Sequence, residues 1–143
     1  MIEVNNLTNF SVDKKFFLGV AKKVLKGENR AKENISIAFV STTEIRKLNK
    51  KYKKKNKPTD VLSFGKTIGF IEDSSEVIIC PEVVKKNSKE FGTTFKKELT
   101  KMLVHGILHI LGYDHEKGTS SSQARAKKDA VKMEKKQEKY LSI

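Results

Sequence analysis

The hydrophobic residues of this 143-residue chain are concentrated in short runs that predict four β-strands. Most of these runs are apolar and rich in β-branched residues, which is typical of strands in a sheet that other elements cover. The predicted strands are IEVNN at 2–6, ISIAFV at 35–40, DVLSF at 60–64 and EVIIC at 76–80. Cys80, which ends the fourth run, is predicted to be a small core residue rather than a nucleophile or a ligand.

Apolar residues recur at helical spacing in the rest of the chain and predict five helices. The predicted spans are 12–26, a short helix from 42 or 43 into a lysine-rich stretch, 81–90, 95–111 and about 120–141. We expect Ser11 and Thr94 to cap two of these helices, and Gly27, Pro58 and Gly92 to end three. Strands and helices are therefore mixed. Because the chain has the length of one domain and no repeat or linker, we predict a single domain over residues 1–143.

All three histidines of the chain lie in the sequence VHGILHILGYDH, at positions 104–115. His105 and His109 are four residues apart, so they project from one face of a predicted helix with about 6 Å between them. The rest of that helix is nearly all apolar and must be buried, where two imidazoles are costly unless their nitrogens find partners. One divalent cation satisfies both. Gly112 can then end the helix in a left-handed conformation and let the chain present His115 as a third ligand.

Three histidines with an open fourth position are the ligand set of a catalytic zinc ion. The sequence therefore predicts one zinc per chain, bound by His105, His109 and His115. Zinc is preferred over iron or manganese because the ligand set requires no carboxylate from Asp or Glu. The alternative is a pair of hydrogen-bonded core histidines with His115 at the surface. Asp114 is expected to orient a ligand histidine or to cap the turn, and it or Glu116 could also transfer a proton.

The residue after the first histidine, Gly106, separates this pattern from that of a protease. The spacing of the three histidines is that of the metzincin proteases, in which a glutamate at this position is the general base. A peptidase would therefore lack its catalyst here. Glycine also costs about 1 kcal/mol in a helix interior relative to alanine. We expect glycine here for one of two reasons: it allows the helix to pack closely on the sheet, or it leaves space for a bulky substrate near the metal.

The net charge of +13 points to a polyanionic partner, although a proteome with a general lysine bias would produce the same excess. Position is more informative. Seven lysines lie in KLNKKYKKKNK, from Lys47 to Lys57, with no acid among them. A second basic set, at 125–139, contains acids at helical spacing and is expected to be a solvated helix face. Cations stabilise the charge that develops on a phosphodiester during cleavage, and peptide hydrolysis has no comparable need, so the lysine cluster favours a nucleic-acid substrate.

Other features of the sequence predict a cytoplasmic protein without a membrane association. No apolar run reaches the roughly 18 residues that a bilayer span needs, and the first residues, MIEVNNLTNF, do not resemble a signal peptide. A single cysteine excludes an intramolecular disulfide, which fits a reducing compartment. The sequence does not indicate an oligomeric state.

The sequences NKKYKKKNKPTDVLSF and HGILHILGYDH together resemble the YbeY family of bacterial rRNA-maturation endoribonucleases. The resemblance covers nearly the whole chain and implies an α+β fold with a mixed four-stranded sheet and a metal-binding helix at its core. It implies a zinc ion bound by His105, His109 and His115, and cleavage that prefers single-stranded RNA. It also implies roles at the 3′ end of 16S rRNA and in ribosome quality control, with RNA and the small ribosomal subunit as partners.

The family's proposed catalytic arginine follows the tyrosine of an NxxYR motif, and this chain has Lys53 at that position. Lysine keeps the charge but loses the bidentate fork of arginine. Lys53 is therefore expected either to bind the phosphate as a point charge or to make this protein a weaker catalyst. The predicted function is a zinc endoribonuclease in which the zinc and Lys53 hold the phosphate. The first alternative is a non-catalytic rRNA-binding assembly factor with a structural zinc. The second is a metallopeptidase, which the absence of the catalytic glutamate disfavours.

Overall fold

The computed structural model describes residues 1–66, 74–113 and 123–141, and of residues 123–131 it describes the backbone alone. The four predicted strands are confirmed with small shifts at their ends. They are β1 (Ile2–Asn6), β2 (Ile35–Phe39), β3 (Val61–Phe64) and β4 (Ser75–Ile79).

The four strands form one mixed sheet in the order β1-β2-β4-β3. β1, β2 and β4 are parallel to one another, and β3 pairs with β4 in the antiparallel direction. The α+β fold with a mixed four-stranded sheet is thus confirmed. β3, which holds the VLSF part of the TDVLSF motif, is an edge strand of this sheet.

The described residues form five helices, as predicted, although some of their ends differ. They are α1 (Lys14–Gly27), α2 (Thr42–Lys53), α3 (Pro81–Glu90), α4 (Phe95–Ile110) and α5 (Gln123–Leu141). Thr94 caps α4 as expected, because its hydroxyl accepts a hydrogen bond from the Lys97 backbone N–H at 3.1 Å. None of the helices in the described part of the chain has the continuous apolar length that a membrane-spanning helix requires.

Two predicted helix ends are wrong. Asp13, not Ser11, caps α1: its carboxylate accepts a hydrogen bond from the Phe16 backbone N–H at 3.1 Å, the geometry of an N-cap. Pro58 does not end α2. The helix stops at Lys53 because Lys54 adopts a left-handed conformation, with φ of 59°, four residues before the proline.

The strands place alternate residues on opposite faces of the sheet, and each face has its own hydrophobic cluster. The larger cluster contains the inward residues of α1, α4 and α5 on one face, among them Phe17, Leu103 and Met133. The smaller cluster contains Ile45 of α2 and Cys80 on the other face. Cys80 is fully buried, and burial raises the pKa of its thiol. The prediction of a core cysteine is therefore confirmed.

Candidate functional site

The histidine helix is buried as its sequence predicts, and it carries His105 and His109 to the edge of the core. The apolar residues of α4 that pack into the core include Leu99, Leu103, Val104, Ile107 and Leu108. Both histidines are half-buried. They line one cavity of about 410 Å³, together with the end of α2, the segment after it and β3. The lining residues are Asn49, Lys53, Lys55, Lys57, Thr59, Val61, Leu62, Ser63, His105 and His109.

Gly106 holds the histidine helix against the sheet. A Cβ atom at this position would lie 2.7 Å from Val77 Cγ1, 3.2 Å from Ser63 Oγ and 3.4 Å from Val61 Cγ2. The Ser63 hydroxyl also donates a hydrogen bond to the Gly106 carbonyl oxygen at 3.2 Å. The close-packing explanation for this glycine is therefore confirmed. The contact also places the TDVLSF strand directly beside the two histidines.

Three lysines of the cluster line the same cavity. Lys53 is the last residue of α2, and Lys55 and Lys57 follow in the turn that leads to β3. The structure thus brings Lys53, the predicted phosphate-binding residue, together with His105 and His109 around one space. Among the described residues that line the cavity there are three lysines and no carboxylate, which suits an anionic ligand.

Asn49 holds the lysine turn in place, although the sequence analysis assigned it no role. It is 3% exposed. Its side-chain N–H donates to the Lys57 carbonyl oxygen at 2.9 Å, and its backbone carbonyl accepts from the Lys55 N–H at 3.2 Å. These two bonds close the chain over residues 54–57, the segment whose Lys55 and Lys57 line the cavity. The sequence signal that could have identified Asn49 is its position as an amide residue in the middle of an amphipathic helix.

His105 has a polar neighbour on α5 that the sequence did not predict. Its ring Nδ1 lies 2.7 Å from the side-chain oxygen of Gln137, on α5. Gln137 is 7% exposed and shares the inner face of α5 with the buried Met133 and Tyr140. The signal for Gln137 was a polar residue within an apolar stripe at positions 133, 137 and 140.

The chain leaves α4 through Gly112 and Tyr113. Gly112 has φ of 108°, so the predicted positive φ at the end of the helix is confirmed. Asp114, His115 and Glu116 lie outside the described residues, and their predicted roles stay predictions. Within residues 1–66 and 74–113 and the described side chains of α5, no three His, Cys, Asp or Glu residues lie close enough together to hold a metal ion.

Glu28 anchors the segment just before Asp114. Its carboxylate accepts hydrogen bonds from the hydroxyls of Tyr113, at 2.7 Å, and Tyr140, and it pairs with Lys136 Nζ at 3.2 Å. Burial raises the pKa of Glu28, but the bonds from Tyr140, Tyr113 and Lys136 outweigh burial and lower the pKa below its ordinary value. The hydrogen bond to Glu28, followed by burial, raises the pKa of Tyr113 to about 12.

A larger cavity, of about 1120 Å³, lies elsewhere, between α1, α4 and the end of α5. It contains none of the histidines or lysines that the sequence analysis assigned to the site. Its size therefore gives it no link to the predicted chemistry, and the smaller cavity is the candidate site.

An α+β fold in which two histidines on a buried helix share a cavity with three lysines defines a class of protein suited to a polyanionic ligand. The sequence comparisons identify the family within that class. The family model described as "Endoribonuclease YbeY" matches residues 3–143. The chain belongs to the endoribonuclease YbeY family, and the resemblance in its two motifs is thereby confirmed.

Relatives and a solved structure agree with this assignment. Endoribonuclease YbeY of Bdellovibrio bacteriovorus is 45% identical over 105 residues, which cover 72% of this chain and 65% of the relative. The relative from Thermosipho melanesiensis is 35% identical over 134 residues, covering 94% of this chain and 92% of the relative. The solution structure of TM1509 from Thermotoga maritima matches with a TM-score of 0.66 and 31% identity, over 99% of this chain and 87% of that one.

The chain spans only part of the length of some of these relatives. The chain spans 65% of the Bdellovibrio relative and 54% of the one from Thermotoga neapolitana, which is 46% identical over 83 residues. It therefore spans less than two thirds of the length of these two curated relatives.

Proposed function

We propose that this chain is a zinc-dependent endoribonuclease that prefers single-stranded RNA. The observation that carries the proposal is the single cavity in which Lys53, Lys55 and Lys57 face His105 and His109. Relatives described as endoribonucleases support an RNA substrate and cleavage. Their shared description favours an enzyme over an assembly factor that does not cleave.

The donor set of the cavity fits a zinc ion. His105 and His109 supply two imidazoles from one helical face, and the bond from His105 Nδ1 to an acceptor is the arrangement common among histidine ligands of metals. We propose His105, His109 and His115 as the ligands of one zinc per chain. When bound, zinc supplies a Lewis acid that polarises a phosphoryl oxygen.

The protein's own residues would bind and orient the RNA. Lys53 stands where the family has its arginine, and it would neutralise charge on a non-bridging phosphate oxygen. Lys55 and Lys57 would hold neighbouring phosphates, so binding should weaken steeply with salt. Asp114 is proposed to orient a ligand histidine or to transfer a proton.

The proposed biological role is rRNA processing at the 3′ end of 16S rRNA and ribosome quality control. The partner would be rRNA in the small ribosomal subunit. The compartment would be the cytoplasm, where ribosomes assemble, and the thiol of Cys80 is compatible with its reducing conditions.

The deciding experiment is RNA cleavage by zinc-loaded protein, with His109→Ala purified in parallel to detect contaminating nucleases. Single-stranded and duplex RNA of one sequence should be compared. We expect the wild type to cut the single strand faster and His109→Ala to lose cleavage. Equal cleavage by both proteins would assign the activity to a contaminant. RNA binding without cleavage by the wild type would favour the assembly factor.

A further inference from the structure

Gln137 is a buried polar residue at a position where the helix would otherwise be apolar. Its neighbours on the inner face of α5, Met133 and Tyr140, are 0% and 5% exposed, and Gln137 itself is 7% exposed. Burying an amide costs free energy unless its groups are hydrogen-bonded. A leucine or methionine would continue the apolar face without that cost, so packing alone does not explain a glutamine here.

The amide oxygen of Gln137 meets one particular atom, the Nδ1 of His105, at 2.7 Å. An amide oxygen accepts hydrogen bonds, so this contact matches the tautomer of His105 that carries its proton on Nδ1. A neutral imidazole with its proton on Nδ1 has its lone pair on Nε2. The contact therefore selects the tautomer of His105 and fixes the orientation of its ring.

We infer that Gln137 is a positioning residue that holds His105 as the Nδ1–H tautomer and makes Nε2 its metal-binding nitrogen. The metal half of this inference rests on the zinc site of the proposed function. The tautomer half rests on the hydrogen bond alone. α5 thus takes part in the candidate site through a residue 32 positions from His105 in sequence, although Gln137 does not line the cavity.

A neutral acceptor suits the proposed substrate better than a carboxylate would. An Asp or Glu at position 137 would add a negative charge next to His105. Glutamine orients the ring without that charge, which preserves the positive potential of a cavity lined by three lysines.

The first test measures the His105 tautomer in metal-free protein by two-bond ¹H–¹⁵N correlation spectra of the histidine rings. His105→Gln identifies the signal. In the wild type we expect the proton on Nδ1 of His105. In Gln137→Leu we expect loss of this preference, because the acceptor is gone, and Gln137→Glu should keep it, since a carboxylate oxygen accepts the same N–H. Met133→Leu, a volume-conserving change on the same buried face, is the matched control and should keep the wild-type tautomer.

The second test measures zinc affinity by competition with a chromophoric chelator in the same proteins. Gln137→Leu should bind zinc about 10–100-fold more weakly, the usual effect of removing a partner of a ligand histidine. Met133→Leu should bind zinc as the wild type does, and Gln137→Glu should retain or strengthen binding. Circular dichroism and melting curves establish that each variant is folded.

Two results would overturn the inference. One is a wild-type His105 with its proton on Nε2, and the other is a folded Gln137→Leu with unchanged tautomer and zinc affinity. Failure of the zinc proposal looks different: the wild type and His109→Ala would bind zinc equally poorly. The metal half of the inference would then fall with that proposal, while an Nδ1–H tautomer lost in Gln137→Leu would support the tautomer half.

Discussion

At the scale of single residues, the structure distinguishes lysines that the sequence presents as one run. Lys53, Lys55 and Lys57 line the cavity, whereas Lys51 does not and lies with its Nζ 5.2 Å from the centre of the Tyr52 ring. Lys55 shares the cavity wall with Lys53. Its place in the cavity wall makes Lys51 the better control for any test of Lys53.

Lys53→Ala should lower the single-turnover cleavage rate at saturating RNA by about 10²-fold, because it removes an electrostatic stabiliser of the transition state. Lys51→Ala should mainly weaken RNA binding and reduce its salt dependence by about one unit of slope. Lys53→Arg should keep or raise the activity. Single-turnover rates keep product release from masking the chemical step. Equal effects of Lys53→Ala and Lys51→Ala on both rate and binding would show that Lys53 has no special role.

At the scale of elements, the contact between α4 and the sheet depends on the absence of one side chain. Gly106 lies against Val77, which is fully buried on β4 and has little room to move. Gly19 on α1 provides the contrast, because a Cβ atom there would meet nothing within 4 Å.

Gly106→Ala should destabilise the fold by about 1–3 kcal/mol, the usual cost of overpacking, despite the better helix propensity of alanine. Gly19→Ala should stabilise the protein by up to about 1 kcal/mol, because only the propensity changes. Urea denaturation of the two variants measures both effects. A Gly106→Ala protein as stable as Gly19→Ala would mean that the sheet yields to the added methyl group.

At the scale of the whole molecule, Glu28 joins three elements that are far apart in the chain. It follows α1 directly, and its carboxylate binds Tyr113 after α4 and Tyr140 and Lys136 on α5. Gly27 makes the approach of α5 possible, because a Cβ atom there would overlap the Tyr140 ring. The packing of α5, and with it the position of Gln137, depends on this junction.

The pH dependence of stability should report this junction. Because the folded-state pKa of Glu28 is lowered, its contribution is present above the ordinary value of 4.5 and is lost as the pH falls through the folded-state pKa. Because the pKa of Tyr113 is raised from 10 to about 12, its contribution is present below pH 10 and is lost as the pH rises towards 12.

Glu28→Gln should therefore lose less stability between pH 6 and pH 3 than the wild type, as measured by urea midpoints across that range. Glu90→Gln, at an exposed position on α3, is the matched control and should follow the wild-type profile. Superimposable acid profiles for the wild type and Glu28→Gln would contradict a stabilising role for the Glu28 carboxylate.

The sequence by itself determined those features that depend on neighbouring residues. Apolar runs and helical repeats located the four strands and five helices, and Thr94, Gly92 and Gly112 marked helix ends correctly, because caps and left-handed turns are formed within a few residues. The same local spacing placed His105 and His109 on one face of α4.

Only the tertiary structure decided the contacts between residues that are distant in sequence. Three examples are the strand order β1-β2-β4-β3, the packing of Gly106 on Val77 and the hydrogen bond between His105 and Gln137. In each case the sequence pattern of one element does not indicate which other element it contacts. A periodic pattern states which face of an element is buried, but not which element covers it. Charge likewise identified a basic stretch, but only the fold shows that Lys53, Lys55 and Lys57 of that stretch line the cavity with the histidines.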